Sequence, residues 1–310
     1  MHLREWFTTH AGPGEFSGQW LADEPLSRHT YYRIGGPAAI LASPRTRADV
    51  KLIHRALHET GASFFILGFG SNVLASDEGF RGVVIRTRNL ETTIEMPSPE
   101  LIRTGAGVAI TTLLRRCSEE GWGGLEFLTG IPGSVGGAVR MNGGTHLGES
   151  GSRLVRVEAC SLRTGAVREI TGDGLRFQYR KNLFLEPDEL VLSADWRIDT
   201  AEPAKVKALV DETLVRRKAT QPLDAPSCGS VFKNPKEAGL QAWQVIDRLG
   251  LRGHRIGNAQ ISEKHPNWIL NLGGARSVDV QALIDLVRRR ALDELGVRME
   301  EEVVRLGNER

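Results

Sequence analysis

The chain is predicted to be an α+β protein of more than one domain, and three observations lead there. Short runs of branched apolar residues alternate with longer amphipathic segments, glycines gather at the ends of those runs, and 310 residues exceed what one hydrophobic core usually encloses.

The elements follow in order. Thr46, with Asp49 three residues on, marks a helix start, and Val50, Ile53 and Leu57 form its apolar stripe before Gly61. An apolar strand over 64–67 comes next, runs into Gly68-Phe69-Gly70-Ser71-Asn72, and resumes as Val73-Leu74. Further strands are expected over 82–87, 154–162, 190–198, 268–272 and 302–306, each short and rich in branched side chains. Helices are expected over 109–120, over 203–218 with Val206, Leu209, Val210 and Leu214 on one face, and over 277–295 with Val280, Leu283, Ile284, Val287 and Ala291 on one face. Gly296 stops the last of these, and Arg288-Arg289-Arg290 lies on its solvated side. Asp199-Thr200-Ala201-Glu202-Pro203 reads as a linker.

Composition excludes several function classes. Forty basic against 38 acidic residues leave a net charge of +2, so no broad electrostatic footprint for nucleic acid exists. Cys117, Cys160 and Cys228 are widely spaced and odd in number, which suggests neither a disulfide framework nor a metal site and fits a reducing cytoplasm. Residues 1–20 lack the pattern of a signal peptide, and no stretch approaches the roughly 20 apolar residues that span a bilayer, so no membrane partner is expected.

Glycine, at 35 residues, clusters in three places: 68–70, 105–107, and 121–138 with a continuation at Gly143-Gly144. Consecutive amides after Gly68 form a possible cup for a phosphate. The dinucleotide fingerprint fails there, because the sixth position is Val73 and the chain continues as strand. No cluster ends in Gly-Lys-Ser/Thr, which removes the P-loop. The third cluster carries so little side chain that it leaves room for something large and flat. Separately, Gly229-Ser230-Val231-Phe232-Lys233-Asn234-Pro235 sets a hydroxyl, an ammonium and a carboxamide close together, able to donate a proton and grip an anion. Gly229 and Pro235 favour a strand or turn over a helix.

These segments, with Thr30-Tyr31-Tyr32-Arg33-Ile34-Gly35-Gly36-Pro37-Ala38, Gly124-Leu125-Glu126-Phe127, Met141-Asn142, Tyr179-Arg180, Ser262-Glu263-Lys264-His265 and 300–303, resemble the UDP-N-acetylenolpyruvoylglucosamine reductase family over nearly the whole chain. The short spacing from Tyr179 to Gly229 looks like its compact type II form. The resemblance implies a two-part FAD-binding region of the vanillyl-alcohol oxidase and p-cresol methylhydroxylase type over 1–200, divided near 90–100, and a smaller α+β substrate domain over 201–310. It implies bound FAD, NADPH as hydride donor, a UDP-sugar enolpyruvyl ether as substrate, and a monomer. FAD contacts would come from Leu67, Gly68, Phe69, Gly70, Ser71, Asn72, Val73, Gly105, Gly107, Gly130, Ile131, Pro132, Gly133, Ser134, Gly136, Gly137 and Ala138. Ser230 matches the proton donor, Arg180 the arginine facing the substrate carboxylate, and Glu302 the carboxylate assisting the enol, whose pKa burial should raise. Tyr179, Lys233 and Asn234 would bind substrate.

The chain departs from the family where Lys181-Asn182 follows Tyr179-Arg180 in place of Asp-Ser, where Trp243-Gln244 replaces a pair usually beginning with glycine, and where Glu301 replaces a common proline. Two other readings stand beside the reductase: an FAD-dependent oxidase of the same fold, and a non-catalytic flavin or UDP-sugar-binding module. The first leaves the Ser230 segment unexplained, and the second has no need of a proton donor.

Overall fold

The computed structural model describes residues 2–307. The chain divides into two compact units, one formed by Met1–Asp23, Ala39–Phe69 and Gly82–Arg216, the other by Glu24–Ala38, Gly70–Arg81 and Arg217–Arg310. Its helices are α1 (Leu3–His10), α2 (Arg47–Thr60), α3 (Ile110–Glu120), α4 (Val135–Arg140), α5 (Pro203–Thr220), α6 (Ala242–Arg248) and α7 (Ser277–Leu295).

The first unit is built on two sheets. One has four strands in the order Gln19–Pro25, Pro37–Ser43, Phe80–Arg86, Phe64–Leu67, with the last two parallel and Leu67 opposite Arg86. The other is antiparallel, in the order Val167–Thr171, Leu154–Ser161, Glu189–Arg197, Leu101–Gly105, Ile94–Ser98. Its central strand Glu189–Arg197 is buried at every residue except Arg197. Leu190 and Leu192 join the core around Trp6, Ile53 and Val83, whereas Ala194 and Trp196 join the core around Ile102, Leu113 and Leu128. The polar residues Glu189, Ser193 and Asp195 on this strand are buried as well, and are satisfied by hydrogen bonds with Arg168, Glu158 and Arg103 respectively.

The second unit packs α6 and α7 on a three-stranded sheet, Arg255–Ile256, Ala259–Ile261, Ile269–Asn271. Val280, Leu283, Ile284, Val287 and Ala291 are all fully buried there, the stripe expected from their spacing. Val73–Ala75 pairs in parallel with Val304–Leu306, joining segments over 200 residues apart.

α2 is capped as its sequence predicts: the Thr46 hydroxyl accepts from the Asp49 amide at 3.2 Å while the Asp49 carboxylate accepts from the Thr46 amide at 3.2 Å. Gly61, at φ 65, ends it in the left-handed region. α5 differs from expectation. Of its four stripe residues only Val206 is buried; Val210 packs half-buried against the core around Ile102, Leu214 is half-buried, and Leu209 is 51 % exposed. The expected linker is also corrected, since Asp199 and Thr200 pair with Gly123 and Trp122, and the division between units falls within α5. At the carboxyl end the strand begins at Val304, two residues later than the periodicity suggests.

Candidate functional site

Three glycine clusters meet within the first unit. The segment 106–110 runs beside 133–136: Ile110 N–H donates to Gly133 O (3.0 Å), Val135 N–H to Val108 O (2.9 Å) and Gly136 N–H to Ala106 O (2.9 Å), while Ala109 and Ser134 form an antiparallel bridge. Ser134 is the N-cap of α4, its hydroxyl accepting from Gly137 N–H at 3.3 Å. A β-carbon built on Gly68, where the strand Phe64–Leu67 ends, would meet only that hydroxyl, at 3.3 Å, and one on Gly137 would again meet it alone, at 3.6 Å. These two glycines therefore bound open space that side chains would fill. Thr129, just before Gly130, is 2 % exposed, and its hydroxyl has no hydrogen-bond partner among the described residues. A side-chain-poor cradle with a buried hydroxyl still lacking a partner fits FAD.

Of the other expected flavin contacts, those of the first unit lie in or beside the segments that form this cradle, and Gly70, Ser71, Asn72 and Val73 belong to the second unit. Gly130 takes φ 72, Ile131 packs on the neighbouring core, Pro132 and Gly133 complete the loop, and Ala138 is buried in α4. The ring of Phe69 faces the Arg88 guanidinium at 4.9 Å. Gly105 and Gly107 have a packing reason for being glycine: β-carbons there would lie 1.5 Å from Glu91 O and 2.4 Å from Leu90 O. Gly70, at φ 70, is likewise pressed against His29 O, which a β-carbon would approach to 2.2 Å. Ser71 is half-buried. Asn72 reaches across the second unit, its side-chain amide donating to Glu302 O (2.9 Å) and its own carbonyl accepting from Val304 N–H (2.9 Å); Val73 then pairs with Val304.

Ser230 and Glu302 are brought together in that same unit. Gly229 turns the chain at φ 78, after which Ser230 bridges Trp268 and Phe232 bridges Glu301, both antiparallel. Val231 O accepts from Glu302 N–H at 2.8 Å, so the backbone of Glu302 is bonded to the residue that follows Ser230. Asn267 clamps the segment from the other side through both ends of its amide, to Phe232 N–H (3.0 Å) and Phe232 O (2.9 Å). Beneath lies Cys228, 3 % exposed, whose thiol burial pushes up to about 12, with the Glu302 charge adding to the effect. The fully buried Tyr32 phenol, also pushed up by burial, interacts with it.

The expected substrate residues have local partners as well. The Lys233 ammonium pairs with the exposed Glu300 carboxylate, and Asn234 Oδ1 accepts from Ala242 N–H at 3.0 Å at the start of α6. Tyr179 and Arg180 form the two-residue turn between Phe177–Gln178 and Lys181–Asn182 in the first unit, with the Arg180 guanidinium 5.1 Å from the Tyr179 ring centre. Arg180 sits at φ 56, strained for a residue with a β-carbon. His265 is held neutral more firmly than usual, burial lowering its pKa and nearby Arg252 and Arg217 adding to that.

Among the described residues no cluster suits a metal ion, and no helix is long and apolar enough to cross a membrane. Comparison with known proteins gives two matching families: an FAD binding domain over residues 38–171, and the C-terminal domain of UDP-N-acetylenolpyruvoylglucosamine reductase over 221–306. The reductase of Geobacter metallireducens is 40 % identical over 295 residues, covering 95 % of this chain and 96 % of that protein. The crystal structure of the Thermus caldophilus reductase superposes with a TM-score of 0.77 at 35 % identity, covering 93 % of this chain and 98 % of that one. A glucose oxidase variant of Phl p 4 shares the fold alone, with a TM-score of 0.52 at 12 % identity over 66 % of this chain and 45 % of its own. On its identity and coverage, this chain belongs to the UDP-N-acetylenolpyruvoylglucosamine reductase family.

Proposed function

We propose that the protein is an FAD-dependent oxidoreductase that reduces UDP-N-acetylglucosamine enolpyruvate to UDP-N-acetylmuramate with electrons from NADPH, a step of peptidoglycan precursor synthesis. The observation that carries this reading is the hydrogen bond from Glu302 N–H to Val231 O, next to Ser230, in a chain whose other unit holds the glycine cradle. FAD, when bound, supplies the two-electron relay between nicotinamide and the vinyl ether. Gly68, Gly130–Ser134 and Gly137 would hold it, with the Thr129 hydroxyl as a further donor or acceptor.

The chain's own residues supply the rest. Ser230 delivers a proton to the carbanionic carbon, which is basic enough to take one from a polarised hydroxyl. The Arg180 guanidinium offers a two-pronged grip on the substrate carboxylate and stabilises charge spreading onto it. Glu302 assists at the enol oxygen, and Tyr179, Lys233 and Asn234 contact the sugar nucleotide; for Lys233 this means exchanging Glu300 for a diphosphate oxygen. FAD contacts would fall within 1–200 and Ser230, Lys233, Asn234 and Glu302 within 201–310, with Tyr179 and Arg180 reaching the substrate from the first part. The protein works as a cytoplasmic monomer, without nucleic acid, and supports cell shape and division through wall synthesis.

The oxidase and the non-catalytic module are less favoured, because the relatives that match along the whole chain bear the name of the reductase. The test is a visible spectrum under anaerobic conditions. NADPH should bleach the flavin band, and UDP-N-acetylglucosamine enolpyruvate should restore it. Reoxidation by oxygen alone would favour an oxidase. Ser230→Ala should leave bleaching intact and slow restoration by orders of magnitude, whereas equal loss of both steps would contradict the proton-donor role.

A further inference from the structure

We infer that Asn142 and Asn182 are positioning residues for Arg180, a role that rests on the reading of Arg180 as the carboxylate-binding arginine. The turn that presents Arg180 holds a strained backbone, and such conformations persist only where the surroundings over-determine them. The two strands entering and leaving that turn are each tied by one asparagine. Asn142 Nδ2 donates to Gln178 O at 3.0 Å, and Asn182 Nδ2 donates to Arg140 O at 2.7 Å.

Each side chain is engaged at both ends of its amide. Asn142 Oδ1 accepts from Gly151 N–H and Asn182 Oδ1 from Leu185 N–H, both at 2.8 Å. Asn142 is fully buried and Asn182 is 8 % exposed, so each amide lost leaves the Gln178 or Arg140 carbonyl without this donor. Asn142 itself sits at φ 44, a conformation asparagine tolerates better than most residues.

The anchor for both is the carboxyl end of α4. That helix is capped by Ser134 in the glycine cradle and runs from Val135 to Arg140, so a single rigid turn and a half connects the cradle to the Arg180 hairpin. The asparagines thereby transfer the cradle's position to the guanidinium. Asn182 is also one of the residues by which this chain departs from its family's usual sequence, and here it completes the clamp.

The test compares Asn142→Gly, Asn182→Ala and Arg180→Ala in FAD-loaded protein. Glycine keeps the left-handed backbone open while removing both bonds of Asn142, and Asn182→Ala, at a less buried site, removes both bonds of Asn182 and carries the test if Asn142→Gly does not fold. Bleaching by NADPH should stay within about twofold, while restoration by UDP-N-acetylglucosamine enolpyruvate slows roughly 10- to 100-fold, the scale expected for an ångström of misplacement. In flavin-free protein, hydrogen exchange across 177–182 should accelerate. Adding Asn182→Ala to Arg180→Ala should slow restoration little further, because the clamp acts only through the arginine. Full additivity, or equal loss in both half-reactions, overturns the positioning role. Normal restoration in Arg180→Ala overturns the reading of Arg180 itself, and slow restoration there with normal Asn182→Ala removes the clamp alone.

Discussion

At Gly70 two constraints coincide: a left-handed backbone at φ 70 and a neighbouring carbonyl, His29 O, lying 2.2 Å from where a β-carbon would stand. The sequence marks this glycine as part of a flavin loop, but its packing against residues 29–30 became visible only in three dimensions. Gly70→Ala should destabilise the protein by more than about 1 kcal/mol, measured by urea unfolding, since alanine is strained at positive φ even before the clash. Cys228 illustrates the opposite case. Its place next to Gly229 and Ser230 invites a reactive role, yet burial holds the thiol protonated, with a pKa pushed up to about 12. Iodoacetamide should therefore leave Cys228 unmodified in folded protein at pH 8 and alkylate it in urea. Labelling of the folded protein at the unfolded rate would contradict that burial.

The elements legible from sequence are those whose stability is local or whose apolar stripe is regular. α2 carries its own capping box and a glycine stop, and α7 carries a stripe that is buried as its spacing implies. α4 escaped notice because Val135-Gly136-Gly137-Ala138-Val139-Arg140 contains two poor helix formers in six residues; it forms because Ser134 caps it and the 106–110 segment braces it. α5 shows that a periodic stripe states only what a helix could bury. The contrast gives a prediction at this scale. Leu113→Ala in α3, fully buried, should cost about 2–5 kcal/mol, whereas Leu209→Ser in α5 should stay within about 0.5 kcal/mol, both read from chemical denaturation.

At the scale of the whole molecule, stability against acid draws on carboxylates held ionised in the first unit. Arg47 lowers the pKa of Glu158 and Arg168 that of Glu189 through hydrogen bonds that outweigh burial; at Asp49 burial pushes upward, but donors from Arg45, Ser17 and Thr46 outweigh it and the net direction is down. Groups with depressed folded values add stability that is present above their unfolded values, near 4.5 for glutamate, and lost as pH falls through the folded ones. Melting temperature should thus decline on acidification below about pH 4.5, and Glu189→Gln should flatten the decline; an unchanged slope would mean that the Arg168 pair contributes nothing. At this scale the sequence by itself determined the α+β class, the family, and the segments that bear glycine, serine and arginine, because those depend on residue type and spacing along one chain. Only the tertiary structure decided that three glycine clusters meet at Ser134, that Asn72 and Val231, the neighbour of Ser230, both bond to the Glu302 backbone, and that Asn142 and Asn182 grip the Arg180 turn. Each of these rests on hydrogen bonds or close approaches between distant segments, and no periodicity along the chain encodes which amide will face which carbonyl.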